Sequence, residues 1–268
     1  MYSILSRLSS SPVVEYKFSN GNVAKAIQLS DTVERLGKQG IRDALAQMGL
    51  PCSQHPVLVL IGGANGAAGE LKRLPFLFEN ILAPIAQEMQ AIVVDGGTDS
   101  GVMRLMGHAR ASIGATFPLV GVCPGELVNL RGLSTQTRFS QSDLSDRVAL
   151  EPHHTHFFLV PGFEWGAESK YFAKLATTIA QGQPSLAVLV NGGNISLDDA
   201  KKNIAEGRPL VVITNTGRLA DEIAGANSAK HKALHDIRGS EYLNLLDINE
   251  GDQLRNFLRQ QLSDNRLN

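Results

Sequence analysis

The sequence predicts an α/β protein built on a doubly wound, mainly parallel sheet with helices on both faces. Three observations predict it. From Val57 onward, short runs rich in β-branched residues alternate with longer segments of helical period, the pattern of strands joined by right-handed helical crossovers. The runs are nearly continuous in apolar character, as expected of strands covered on both faces. Four of them lead into turns of one grammar, LIGGANGAAGE (60–70), VVDGGTDSGVM (93–103), LVNGGNISLDD (189–199) and ITNTGRLAD (213–221). Such turns belong at the carboxyl edge, where open parallel sheets bind ligands.

The strand runs are 57–61, 91–95, 118–122, 156–160, 185–190, 209–214 and 242–248, each short and bounded by turn residues. Helical period is legible over 76–90, 102–113, 168–181, 197–206, 219–224 and 252–262, the last capped by Asn249 or Gly251. Residues 1–50 differ in character. A hairpin around Asn20-Gly21 precedes an amphipathic helix from Asp31 to Met48, so an N-terminal elaboration (1–50) is expected to pack on a core domain (51–268). Residues 125–152 have no strong period and are long enough for a functional loop or a mobile cover.

With 268 residues, 43% hydrophobic and 19% charged, the chain can bury one large core or two modest ones. Its net charge of -1, without blocks of like charge, lacks the electrostatic footprint of a general nucleic-acid binder. An anionic small ligand stays open, because backbone amides bind phosphate without net positive charge. Two cysteines, Cys52 and Cys123, without C-x-x-C spacing, argue against a disulfide scaffold and a structural zinc site and fit a reducing compartment. No signal-type apolar segment and no apolar run of roughly 18 residues occurs. A cytoplasmic setting without membrane contact is the expectation.

Glycine in these turns allows close approach: with no Cβ, the main chain brings amides to a phosphate, and the following helix adds its positive end. Thr98 and Ser100 add hydroxyl donors. Asp99 would repel phosphate, so it accepts from a ribose hydroxyl, caps the helix or points away. A glycine turn followed by Lys-Ser or Lys-Thr is absent, as is strict G-x-G-x-x-G spacing after the first strand. Neither a P-loop nucleotidase nor an ordinary dinucleotide dehydrogenase is favoured.

Other residues carry weaker signals. His154 and His156 would share a strand face by period two, with His153 and Glu151 beside them; too few ligands complete a metal site, so no metal is expected, and one histidine is expected on a loop or a ligand phosphate. Trp165 follows a strand and could stack on a base, with Glu164 or Glu168 accepting from ribose hydroxyls; the alternative is packing at a helix start. Arg218 is placed for a bidentate phosphate contact. Arg104 and His108 are lesser candidates, and Cys123, with no local histidine, is a poor nucleophile.

The stretches GGTDSGVMRLMGHARASIGATFPLVGVCP (96–124), LEPHHTHFFLVPG (150–162), NGGNIS (191–196) and ITNTGRLADEIAG (213–225) together resemble the SLOG superfamily. The resemblance is to its LSDAT branch, found as stand-alone bacterial proteins and as the cytosolic N-terminal domain of TRPM channels. It covers roughly residues 57–248 and leaves the first 50 outside. It implies a Rossmann-like fold binding a nucleotide-derived ligand, ADP-ribose, NAD or a relative, with no required cofactor. Carried over, Gly62, Gly63 and Ala64 fall on the first loop and Gly96, Gly97, Thr98, Ser100, Gly101 and Met103 on the phosphate turn. Gly192, Gly193 and Asn194 fall on the second glycine turn, and Thr216, Gly217 and Arg218 on the third; independently of the resemblance, the residue pattern adds His156 and Glu164 to the expected ligand set.

A sister branch resembles the LOG or lysine-decarboxylase-like phosphoribohydrolases, whose P-G-G-x-G-T-x-x-E turn carries a catalytic glutamate. Here 191–199 read NGGNISLDD, so the proline and third glycine are lost and Asp199 stands for the glutamate. The leading expectation is a nucleotide-binding sensor or module, a homo-oligomer needing an unidentified effector protein. The alternative is a hydrolase of an N-glycosidic or phosphoribosyl bond, with Asp199 and Glu168 as catalytic carboxylates.

Overall fold

The computed structural model describes residues 12–29, 33–50, 52–63, 73–130, 147–225 and 232–263. Its centre is a nine-stranded sheet. The strands are β1 (Val14–Lys17), β2 (Val23–Gln28), β3 (Val57–Gly62), β4 (Ile92–Asp95), β5 (Leu119–Pro124), β6 (His156–Val160), β7 (Ser185–Val190), β8 (Leu210–Thr214) and β9 (Leu243–Asp247). They lie in the order β1-β2-β6-β5-β4-β3-β7-β8-β9. All pairings are parallel except β1 with β2. The chain winds outward from β3 through β4, β5 and β6, then returns to lay β7, β8 and β9 on the other side. The direction of winding therefore reverses between β3 and β7, which creates a crevice at their carboxyl ends.

Successive side chains of β3 alternate between two cores, as strand geometry requires. Val57, Val59 and Ile61 pack with α1 (Val33–Met48), α5 (Ser169–Ala180), α6 (Asn194–Ala205), α7 (Arg218–Gly225) and α8 (Lys232–Arg238). Leu58 and Leu60 face the other core, formed with α2 (Leu74–Leu77), α3 (Ala83–Glu88), α4 (Gly101–Ser112) and α9 (Gly251–Leu262). Both faces are thus covered, and the apolar continuity of the central strands follows.

Several expectations meet local differences. The helix read over 76–90 starts at Leu74 and is interrupted by a π-helical turn, Phe78–Leu82. Pro84 just beyond has no N–H to continue the ladder, and the Asn80 carbonyl that loses this donor accepts from Arg255 instead, at 3.4 Å. α1 leaves helical geometry at Gly37. The residue before α9 is Glu250, with no side-chain cap; Asn249 instead bonds back to Asp247. Helix α8 had no separate signal. The N-terminal hairpin continues the sheet edge to edge, β2 running parallel to β6, rather than lying across a face. Within 125–152, residues 131–146 lie outside the described residues, and the flanks form bridges, Val128 to Val148 and Thr98 to Leu150.

The β4 turn rests directly on β5. Gly97 has φ +70°, and a Cβ on Gly121 would stand 2.6 Å from the Gly97 Cα and 2.8 Å from the Phe157 ring. Alanine in a strand interior usually improves on glycine by roughly 0.5–1 kcal/mol. Here the sign reverses: Gly121→Ala is predicted to destabilise by about 1–3 kcal/mol through overpacking, read as a lower urea midpoint, and an unchanged or raised midpoint would refute the contact.

Candidate functional site

Four turns from the adjacent strands β4, β3, β7 and β8 surround the crevice and enclose a cavity of about 500 Å³. Its floor is Leu60 and Ile61; Gly62, Gly63, Gly96, Thr98, Ser100 and Met103 form one wall, and Gly193, Asn194, Ile195, Ser196, Asp199 and Arg218 the other. Val148, Trp165, Glu168 and Phe172 also line it. The N-terminal ends of α4, α5, α6 and α7 all reach this space. Their aligned peptide dipoles favour an anion there, although the Val102, Ser169 and Ala220 amides already donate to the Gly63, Gly166 and Asn191 carbonyls.

The turns divide their work. Gly97 donates its N–H to Asp95 Oδ1 at 2.7 Å, Gly192 to Asn191 Oδ1 at 2.8 Å and Gly217 to Asp221 Oδ2 at 2.9 Å. Contrary to the expectation for the phosphate turns, these three amides are spent inside their own loops, and their glycines shape the turns rather than line the cavity. Gly62, Gly63, Gly96 and Gly193 line it. A Cβ on Gly193 would stand 2.6 Å from an Arg218 Nη, so this glycine lets the guanidinium lie across the turn. Thr98 and Ser100 both line the wall, with their hydroxyls 3.0 Å apart.

Some expected residues lie elsewhere. His156 opens β6 at the amino edge of the sheet, opposite the crevice, with Nδ1 2.8 Å from the Thr155 hydroxyl. Burial and the charge of Lys25 push it down to about 4. Glu164 is exposed and outside the cavity, whereas Trp165 and Glu168 line it. Thr216 is buried and ties the β7 turn to the β8 turn: its hydroxyl donates to the Ile213 carbonyl and accepts the Asn191 N–H. Gly101 begins α4 without lining the cavity, and Ala64 lies outside the described residues. Asp99 points away, paired with the exposed Arg104 at 2.7 Å. Burial raises the Cys123 thiol and keeps it protonated.

Two carboxyl groups occupy the far wall. Asp199 is raised to about 7 by burial and by the charges of Glu168 and Asp198, against the pull of the Ser169 hydroxyl and Lys202. Its Oδ1 is shielded from solvent, and neither it nor Ser169 Oγ completes a hydrogen bond of good geometry among the described residues. Glu168 is also raised by burial, although its Oε2 accepts the Gly166 N–H at 2.7 Å.

A family model described as "SLOG in TRPM, prokaryote" matches residues 55–255, three quarters of the chain. The chain belongs to this family. Among curated proteins it is similar to transient receptor potential cation channel subfamily M member 2 of Mus musculus, 26% identical over 196 residues, 63% of this chain and 13% of the channel. It is also similar to a subfamily M member-like 2 protein of Nematostella vectensis, 26% identical over 235 residues, 74% of this chain and 14% of that protein. It thus spans about one seventh or less of these relatives. Among solved structures it is similar to the X-ray structure of TM1055, a structural genomics target, at TM-score 0.45 and 15% identity, covering 74% of this chain and 97% of that one. No helix among the described residues of this SLOG domain is long and apolar enough to cross a membrane.

Beneath the Gly96-Gly97 turn the SLOG domain holds a buried network that the sequence reading missed. His154 Nε2 lies 2.7 Å from Asp95 Oδ1, and its Nδ1 lies 2.8 Å from Glu151 Oε2, all three side chains fully enclosed. Burial alone would lower His154, but the Asp95 and Glu151 carboxylates override it and hold the imidazole at about 9. Burial likewise works to raise Glu151, and its bonds to His154 and His153 hold it below the usual range. His154 is therefore an imidazolium at neutral pH, stacked on Phe157 at 5.3 Å.

The sign of its pH dependence follows. A base raised from 6.5 to about 9 on folding stabilises fully below 6.5, and that contribution is lost as pH rises through 9. Native stability is predicted to fall along this alkaline limb, and His154→Leu to remove the slope and cost on the order of 3–5 kcal/mol at pH 6.5 by stranding two buried carboxylates. Denaturation curves across pH test it. An identical alkaline slope in the variant would refute the assignment.

Proposed function

We propose that this SLOG protein binds a nucleotide-derived ligand of the ADP-ribose or NAD type in the crevice between β3 and β7, acting as a sensor or ligand-binding module. Arg218 carries the reading: its guanidinium lies across Gly193 into a cavity rimmed by helix N-termini. A forked cation facing amide-rich turns suits a diphosphate, and the volume falls within the roughly 300–1,000 Å³ of small-molecule pockets. Trp165, 40% exposed at the margin, offers a face for a base. Family membership supports a nucleotide-related module. The reading includes a cytoplasmic setting, a homo-oligomer and an effector partner, because binding alone transmits no signal.

Asp199 favours a second reading, hydrolysis of an N-glycosidic or phosphoribosyl bond. A carboxyl group near 7 with an oxygen shielded from solvent is placed for proton transfer at neutral pH, with Glu168 beside it. Against this stands its short arm, about 1.5 Å less reach than a glutamate, and a misplacement near 1 Å costs on the order of a hundredfold.

Calorimetric titration with ADP-ribose, followed by chromatography of the cell contents, separates the two. Saturable binding with intact ligand is the expected result, and Arg218→Ala should weaken it about 10–100-fold, the loss of charge-assisted hydrogen bonds. Release of AMP or a ribose phosphate, abolished by Asp199→Asn with affinity retained, would establish the hydrolase. Absence of heat at micromolar sensitivity would remove ADP-ribose as the ligand.

A further inference from the structure

We propose that His108, Glu151 and His153 form a divalent-metal site, with zinc the best-fitting cation, on the surface beside α4 and outside the nucleotide cavity. Each residue offers one ligand atom, and the three atoms lie within 4.8 Å of one another. The His108 and His153 rings meet edge to face, 5.4 Å between centroids, and Glu151 Oε1 lies 2.6 Å from His153 Nδ1. Two imidazoles and one carboxylate make the donor set of a three-ligand zinc centre that keeps an open fourth position. None of the three lines the cavity, so the inference stands whatever ligand the crevice takes.

The carboxylate is the fixed member. Glu151 Oε2 takes the His154 Nδ1–H at 2.8 Å and the His153 N–H at 2.9 Å. Its head occupies the space where a Cβ on Gly107 would stand, 2.1 Å from the carboxyl carbon. A glycine in the middle of a helix costs stability relative to alanine; this one seats Glu151 against α4 next to His108. The imidazoles are the adjustable members, His108 exposed and His153 about one fifth exposed. At zinc bond lengths near 2.1 Å, tetrahedral donors stand about 3.4 Å apart. The Glu151–His153 contact must open, and the set must adjust, by on the order of 1 Å. The other cation close by, Arg110, is spent on carbonyls, Nε on Phe117 at 2.8 Å and Nη1 on His153 at 3.3 Å. Behind the site, His154 orients the ligating carboxylate from within, the role second-layer partners play at metal centres.

The test uses the whole chain, stripped with a chelator and dialysed, then titrated with Zn²⁺ and, separately, Co²⁺. One equivalent of tightly held zinc is expected, with the intense visible bands of four-coordinate cobalt(II). His108→Ala and His108→Gln change an exposed side chain and leave the fold intact by circular dichroism; each should weaken metal binding at least tenfold and abolish the cobalt bands, as should His153→Ala. A native protein that retains no zinc after dialysis overturns the proposal. So does zinc retention unchanged in both His108 variants, which would place the metal elsewhere.

Discussion

Two carboxylates, Asp95 and Glu151, sit inside this protein with no exposure to water, and the fold around the site depends on the imidazolium between them. An isolated buried carboxylate is too costly to keep ionised. His154 makes it tolerable by facing both, and in doing so it joins three segments far apart in sequence: the end of β4, the approach to β6 and, through the glycine gap at 107, helix α4. Asp95 Oδ1 also takes the Gly97 N–H. The shape of the turn beside the cavity is therefore set by the ion pair directly beneath it, while Asp95 Oδ2 completes no hydrogen bond among the described residues.

Once these turns are anchored from below, their glycines need not all meet a ligand. Asp95, Asn191 and Asp221 each bind a glycine amide of their own loop, so each loop holds its shape through an internal hydrogen bond without a ligand. Preorganised donors carry little ordering cost on binding. Gly193 makes the complementary contribution, since its missing Cβ is the space the Arg218 guanidinium occupies. Arg218 itself has φ 50°. That sparsely populated backbone state is held by the Asn215–Asp221 loop and aims the side chain into the crevice.

The sheet was legible because each strand is covered on both faces and so reads as a short, unbroken apolar run; β3 to β9 fall where those runs fall. The crevice was legible for the same reason, since the four glycine turns follow four adjacent central strands. The π-helical turn and the break at Gly37 were not, because they depend on one missing amide at Pro84 and one glycine backbone state. The histidines were misread through an assumption about period. Pairing His154 with His156 on one face presumes a strand through both, but β6 begins at His156, and residues 152–155 turn before it. His154 consequently points inward to Asp95, 59 residues away, and local spacing carries no trace of such a partner. The aspartate that ends β4 directly before two glycines was the available signal.

The cavity is lined by groups of opposite electrostatic character, and this links ligand charge to protonation. Arg218 and the helix ends supply positive potential to the cavity, while Asp199, on the same wall as Arg218, and Glu168 also line it with their carboxyls raised by burial. A phosphate seated against Arg218 would add negative charge to the cavity that Asp199 also lines and would displace water. Both effects oppose ionisation. A carboxyl group already near 7 would then be protonated on binding, turning from a repulsive charge into a hydrogen-bond donor. Binding of an anionic ligand would draw in a proton around neutral pH, and affinity would fall as pH rises through 7.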